Sequence, residues 1–120
     1  MKTILVIDDD AMIQRMAGFM LKKLGFAAVT AGSGDKGMEL MRNELPALTL
    51  LDVEMPDKDG FAVLEEIRTD ASLQNAKVCL MTGTLTDEIR AKAEALGCCG
   101  CLHKPLTAPE LQKALEAYTA

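Results

Sequence analysis

Five short apolar segments, separated by longer stretches with helical spacing, leave this chain few folds to choose from. The segments are "TILVI" (3–7), "AAVT" (27–30), "LTLL" (48–51), "KVCLMT" (77–82) and "GCLH" (100–103). Their length and partly β-branched content mark them as buried strands. Between the first two, Ile13, Met16, Ala17, Met20 and Leu24 recur at three- and four-residue steps, and Gly25 ends the run. A second helix is expected after Ser33, carrying Met38, Leu40 and Met41 and stopping before Pro46. A third follows Gly60 with Val63, Leu64 and Ile67, and a fourth runs from about Asp87 to Leu96 and stops at Gly97. The fifth opens on "TAPE", where Thr107 and Glu110 form a capping box ahead of Leu111, Ala114 and Leu115. Five βα units in series predict an α/β fold, a doubly wound five-stranded parallel sheet with helices on both faces.

The 120 residues are expected to form one domain, 1–120, with a core that needs no staples. A net charge of −5, with Lys22–Lys23 as the only basic doublet, argues against direct nucleic-acid binding, which needs clustered cations. No apolar run is long enough to span a bilayer, and the run starting at Ile4 ends in aspartates, which no secretory signal does. Cys79, Cys98, Cys99 and Cys101 read as reduced thiols, because three of them crowd into "GCCGC" too tightly for unstrained disulfides. The expected location is therefore the cytoplasm.

Parallel strands align their C-terminal ends along one edge, where open α/β sheets bind ligands. Here that edge gathers Asp8 and Asp9 after strand 1, Asp52 at the end of strand 3, Thr82 at the end of strand 4 and Lys104 after strand 5. Three carboxylates suit a hard divalent cation such as Mg2+, which keeps sites open for water or a phosphate oxygen. A lysine and a hydroxyl are the donors that the remaining phosphoryl oxygens need. With the field neutralised, one carboxylate can act as a nucleophile toward phosphorus. The residues thus point to magnesium-dependent aspartyl phosphorylation.

The motifs "VIDDD", "LLDVEMPDKDG", "MTGT" and "HKP", in this order and each at a strand end, resemble the receiver domain of two-component response regulators over essentially the whole chain. The resemblance implies the flavodoxin-like strand order 2-1-3-4-5 with Asp52 as phosphoacceptor. It implies that Asp8, Asp9, Asp52 and the backbone carbonyl of Glu54 hold Mg2+, that Thr82 and Lys104 bond phosphoryl oxygens, and that Lys104–Pro105 is cis. The implied donor is a phosphohistidine on a sensor histidine kinase or histidine phosphotransfer protein. The implied role is a signalling switch rather than a turnover enzyme, with an output target or effector that the sequence does not name. Two other classes remain as alternatives: a haloacid-dehalogenase-type phosphatase with Asp8 as nucleophile, and a constitutive docking module.

Other residues carry plainer expectations. Asp10 is expected to cap the first helix rather than join the metal site. Met12, Met16 and Met20 fit a core stripe, while the resemblance implies, as the other reading, that Met12 and Met16 are partly exposed contacts for a kinase partner near the acids. Cys98, Cys99, Cys101 and His103 lack the paired spacing of a zinc site and read as ordinary half-buried side chains. Two positions depart from the receiver pattern: Cys101 stands where an aromatic switch residue is usual, and Leu106 replaces a commonly aromatic position. Output is accordingly expected through the "TGTLTDE" loop after strand 4. Glu54 and Thr84 occupy positions that tune phosphate lifetime in receivers.

Overall fold

The computed structural model describes residues 1–56 and 58–119; Asp57, within the motif "LLDVEMPDKDG", and Ala120, the last residue of the expected domain, lie outside the described residues. The elements follow the order β1 (Thr3–Ile7), α1 (Ala11–Lys23), β2 (Ala27–Ala31), α2 (Gly34–Glu44), β3 (Leu48–Asp52), α3 (Gly60–Thr69), β4 (Val78–Thr82), α4 (Asp87–Ala95), β5 (Gly100–His103) and α5 (Ala108–Tyr118). All strand pairs are parallel and the sheet order is β2-β1-β3-β4-β5, as expected. A 3-10 turn at Ala71–Leu73 has no counterpart in the sequence reading; the Asp70 carboxylate caps it.

Strand alternation sorts the core into two layers. Ile4, Val6, Leu48, Leu50, Cys79 and Met81 pack with Ala17 and Leu21 of α1 and Leu111 and Leu115 of α5. Leu5, Ile7, Leu51, Val78 and Leu80 pack on the other face, against α2, α3 and α4. Every residue of β3 is buried, so its terminal Asp52 is carried into the interior by the strand itself. Polar N-cap residues start the helices where the sequence suggested. Asp10 accepts from the Met12 amide, and Thr107 accepts from the Glu110 amide. At the end of α2, Leu45 takes a left-handed conformation (φ 46°) ahead of Pro46, with its side chain 73% exposed.

The junction of β3 and α3 has no spare room. A Cβ at Gly60 would lie 2.5 Å from the Asp52 carbonyl oxygen and 2.8 Å from the Val53 Cα, and both are backbone atoms that cannot rotate away. The Gly60 amide also donates to the Val53 carbonyl at 2.8 Å, which pins α3 against the end of β3. Gly60→Ala is therefore expected to destabilise the fold by about 1–3 kcal/mol in urea denaturation, the usual cost of overpacking. A midpoint equal to wild type would show that this junction yields freely.

Candidate functional site

Asp8 follows β1 directly, and its amide extends the pairing by donating to the Ala31 carbonyl at 3.0 Å. Its Oδ1 accepts from the Asp10 amide at 2.9 Å, so the acidic triplet turns tightly. The Gln14 side chain, on the first turn of α1, donates to the Asp8 carbonyl at 2.7 Å and fixes the loop from beneath. Sequence reading did not single out Gln14, because a polar residue one turn into a helix equally fits a solvated face.

Asp8 and Asp52 are 0% and 1% exposed, whereas Asp9 faces solvent. Carboxylate oxygens of Asp8, Asp9 and Asp52 lie within 4.8 Å of one another, the one such grouping of potential metal ligands among the described residues. Lys104 extends from the end of β5 to place its Nζ 3.1 Å from Asp8 Oδ2 and 3.0 Å from Asp52 Oδ1. The Lys104 amide donates to the Thr82 carbonyl at 2.8 Å, and the Lys104–Pro105 peptide is cis. The Glu54 amide donates to Asp52 Oδ1 at 3.2 Å. Both Asp8 oxygens are thus engaged. On Asp52 the two bonds share Oδ1, and Oδ2 takes neither.

Burial pushes the Asp52 carboxyl above the ordinary carboxylate range, and the Asp8 charge adds to the rise. The Lys104 bond and the Glu54 amide work against it. Burial pulls the Lys104 ammonium down, but its hydrogen bonds to Asp52 and Asp8 and their charges outweigh that and hold it above its usual value. One ammonium faces three carboxylates, an imbalance that an oxygen-seeking divalent cation is suited to correct. Exposed Asp9 leaves such a cation a path from solvent.

Thr82 is fully buried, and its hydroxyl donates to Glu54 Oε1 while accepting from the Thr84 amide at 3.1 Å. The Cys98, Cys99, Cys101 and His103 group does not converge as a ligand set among the described residues. Cys98 and Cys101 pack against the α2–α4 core layer and Cys99 against the α1–α5 layer. Met12 and Met16 are 63% and 43% exposed, alongside Phe19, so they form a rim, while Met20 packs against the core. A cavity of about 490 Å³, lined by Lys2, Leu24, Phe26 and Leu115 among others, lies at the opposite edge of the sheet and includes none of the site residues.

A sequence profile described as the response regulator receiver domain matches residues 4–116. The chain is 30% identical over 115 residues to a probable chemotaxis protein CheY of Rhizobium etli, covering 95% of this chain and 89% of that one. It is 31% identical to a probable transcriptional regulator ycf27 of Guillardia theta, covering 95% of this chain but 44% of the relative. The chain thus spans about half the length, or less, of several curated relatives it matches. Among solved structures, a response regulator receiver N-terminal domain from Methanoculleus marisnigri is 34% identical with a TM-score of 0.82, covering 100% of this chain and 98% of that one. Chemotaxis protein CheY4 of Vibrio cholerae, at 24% identity, shares the fold with a TM-score of 0.92 and 98% coverage of both chains.

The ammonium between two buried carboxylates gives a direct test. Lys104→Met leaves Asp8 and Asp52 without their shared cation, and about 3 kcal/mol of stability should be lost in metal-free buffer. The loss should shrink in an Asp52→Asn background, where one uncompensated charge is gone. Equal losses in both backgrounds would show that Lys104 stabilises by packing alone.

Proposed function

The chain belongs to the response regulator receiver domain family, and we propose that it is a phosphorylation switch with Asp52 as phosphoacceptor. The observation that carries this reading is the contrast between the two buried aspartates. Both oxygens of Asp8 are occupied, by Lys104 and the Asp10 amide, while Asp52 Oδ2 is free of these bonds. An Asp52 oxygen attacks the phosphorus of a phosphohistidine; the new P–O bond forms as the P–N bond breaks, and the imidazole leaves with the electron pair and takes up a proton. Lys104 neutralises the phosphoryl oxygens, and the Thr82 hydroxyl bonds one of them once it is released from Glu54. Asp8, Asp9, Asp52 and the Glu54 backbone carbonyl would hold Mg2+, which when bound offsets the repulsion between carboxylate and phosphoryl group. The same contrast speaks against a phosphatase built on Asp8.

The donor in this reading is a sensor histidine kinase or a histidine phosphotransfer protein, with the exposed Met12 and Met16 offering apolar contact beside the acids. The chain acts as a switch and not as a turnover enzyme. Its added charge and acceptor oxygens bias the β4–α4 loop, since Cys101 cannot fill the space an aromatic would occupy. No helix among the described residues is long and apolar enough to cross a membrane, which accords with a cytoplasmic setting.

Treatment with acetyl phosphate and Mg2+ should add one phosphoryl group at Asp52, read by intact and peptide mass, and Asp52→Asn should block it. Modification at Asp8 would favour the phosphatase instead, and an unmodified wild type would favour a docking module. Mg2+ alone should raise the unfolding free energy by about 2.7 kcal/mol at a hundred times its dissociation constant. Asp9→Asn should remove most of that gain, and an undiminished gain would place the ion elsewhere.

A further inference from the structure

Glu54 touches both ends of the switch. Its backbone amide donates to Asp52 Oδ1 at 3.2 Å, and its side chain accepts the hydroxyl proton of Thr82. Thr82 is 0% exposed and Glu54 is exposed, so the two partners stand to lose different things if the bond breaks. A released Glu54 carboxylate is rehydrated at once. A released Thr82 hydroxyl has no water to turn to, and its remaining protein acceptor is the Thr84 carbonyl at 3.3 Å. A buried hydroxyl that loses its acceptor is costly, so Thr82 should let go only where another acceptor is offered.

A hydroxyl has one proton to donate. While Thr82 gives it to Glu54, it cannot give it to an oxygen on Asp52. The Glu54 carboxylate also lies against the β4–α4 loop, its Oε2 being 3.8 Å from where a Cβ on Gly83 would stand. The bond therefore joins the end of β3 to the loop that follows β4. We propose that the Glu54 carboxylate is a latch that holds Thr82 and the β4–α4 loop in the resting state, and that a phosphoryl group on Asp52 opens it by offering Thr82 a competing oxygen. This rests on the receiver reading of Asp52. The incoming phosphoryl charge repels the carboxylate as it supplies the replacement acceptor, so both effects act in one direction. Glu54 is a positioning residue here, acting through Thr82.

Three variants, Glu54→Ala, Glu54→Gln and Thr82→Ala, test the latch. In unphosphorylated, metal-free protein, three-bond couplings of Thr82 should report one side-chain rotamer in wild type, averaging in Glu54→Ala, and an intermediate state in Glu54→Gln, whose amide oxygen still accepts. With Mg2+ and beryllofluoride as the phosphoryl mimic, Glu54→Ala should bind the mimic roughly tenfold more tightly, since a hydrogen bond to a charged group no longer opposes the switch. In a Thr82→Ala background that gain should shrink to the part due to charge removal alone, which the double-mutant cycle separates from the pair. An unchanged Thr82 rotamer in Glu54→Ala, or a gain undiminished by loss of the Thr82 hydroxyl, would overturn the latch. Failure of wild type to bind beryllofluoride would count against the receiver reading, and the rotamer measurement would still decide the latch.

Discussion

Two carboxylates that are almost wholly buried must share a cation, and Lys104 supplies it from the far end of the chain. Its Nζ lies 3.1 Å from Asp8 and 3.0 Å from Asp52. Neither aspartate sits easily in the interior alone, because a carboxylate without water or a partner is expensive to ionise. The bridge is satisfied only if the ends of β1, β3 and β5 are brought to one edge, and the order β2-β1-β3-β4-β5 does this. Gly60 completes the constraint from the other side by letting α3 close onto the carbonyl of Asp52. Asp52 is thereby held by the strand, the lysine and the helix together.

Around this rigid centre the polar contacts of the loops are exchangeable. Asp9 and Glu54 are exposed, and each can turn to water at low cost. Asp8, Asp52 and Thr82 are buried and cannot. A site so divided keeps its buried ion pair fixed while the groups at its rim stay exchangeable. Thr82 lies at the boundary, being buried yet bonded to an exposed carboxylate, and the proposed latch turns on that bond.

How much was legible in the sequence depended on the range of the interaction. Asp8, Asp9, Asp52, Thr82 and Lys104 could be brought together from the sequence because strand ends in a parallel sheet align by rule. The division of labour inside "DDD" was also readable, since capping by Asp10 is a contact two residues long. Met12, Met16 and Met20 share a spacing that fits a buried or an exposed face equally well, and only the packing of α1 on the sheet left the first two outside. The Gln14 bond to Asp8 was hidden because its side chain returns to a loop already passed. The bond between Glu54 and Thr82 was hidden because it joins the loop after β3 to the end of β4, 28 residues on. The short turn at Ala71–Leu73 carries too little hydrophobic pattern to announce itself.

Periodicity and strand-end chemistry, both local, determined the class of fold, the sheet edge that matters and the carboxylates gathered there. They needed nothing beyond the rule that parallel βα units point their strand ends the same way. Tertiary structure alone decided which oxygens are occupied, which acids are buried and where the Thr82 proton goes. Those outcomes depend on ångström-scale distances between side chains from different strands, and on how much water each can still reach. Spacing along a chain encodes neither quantity.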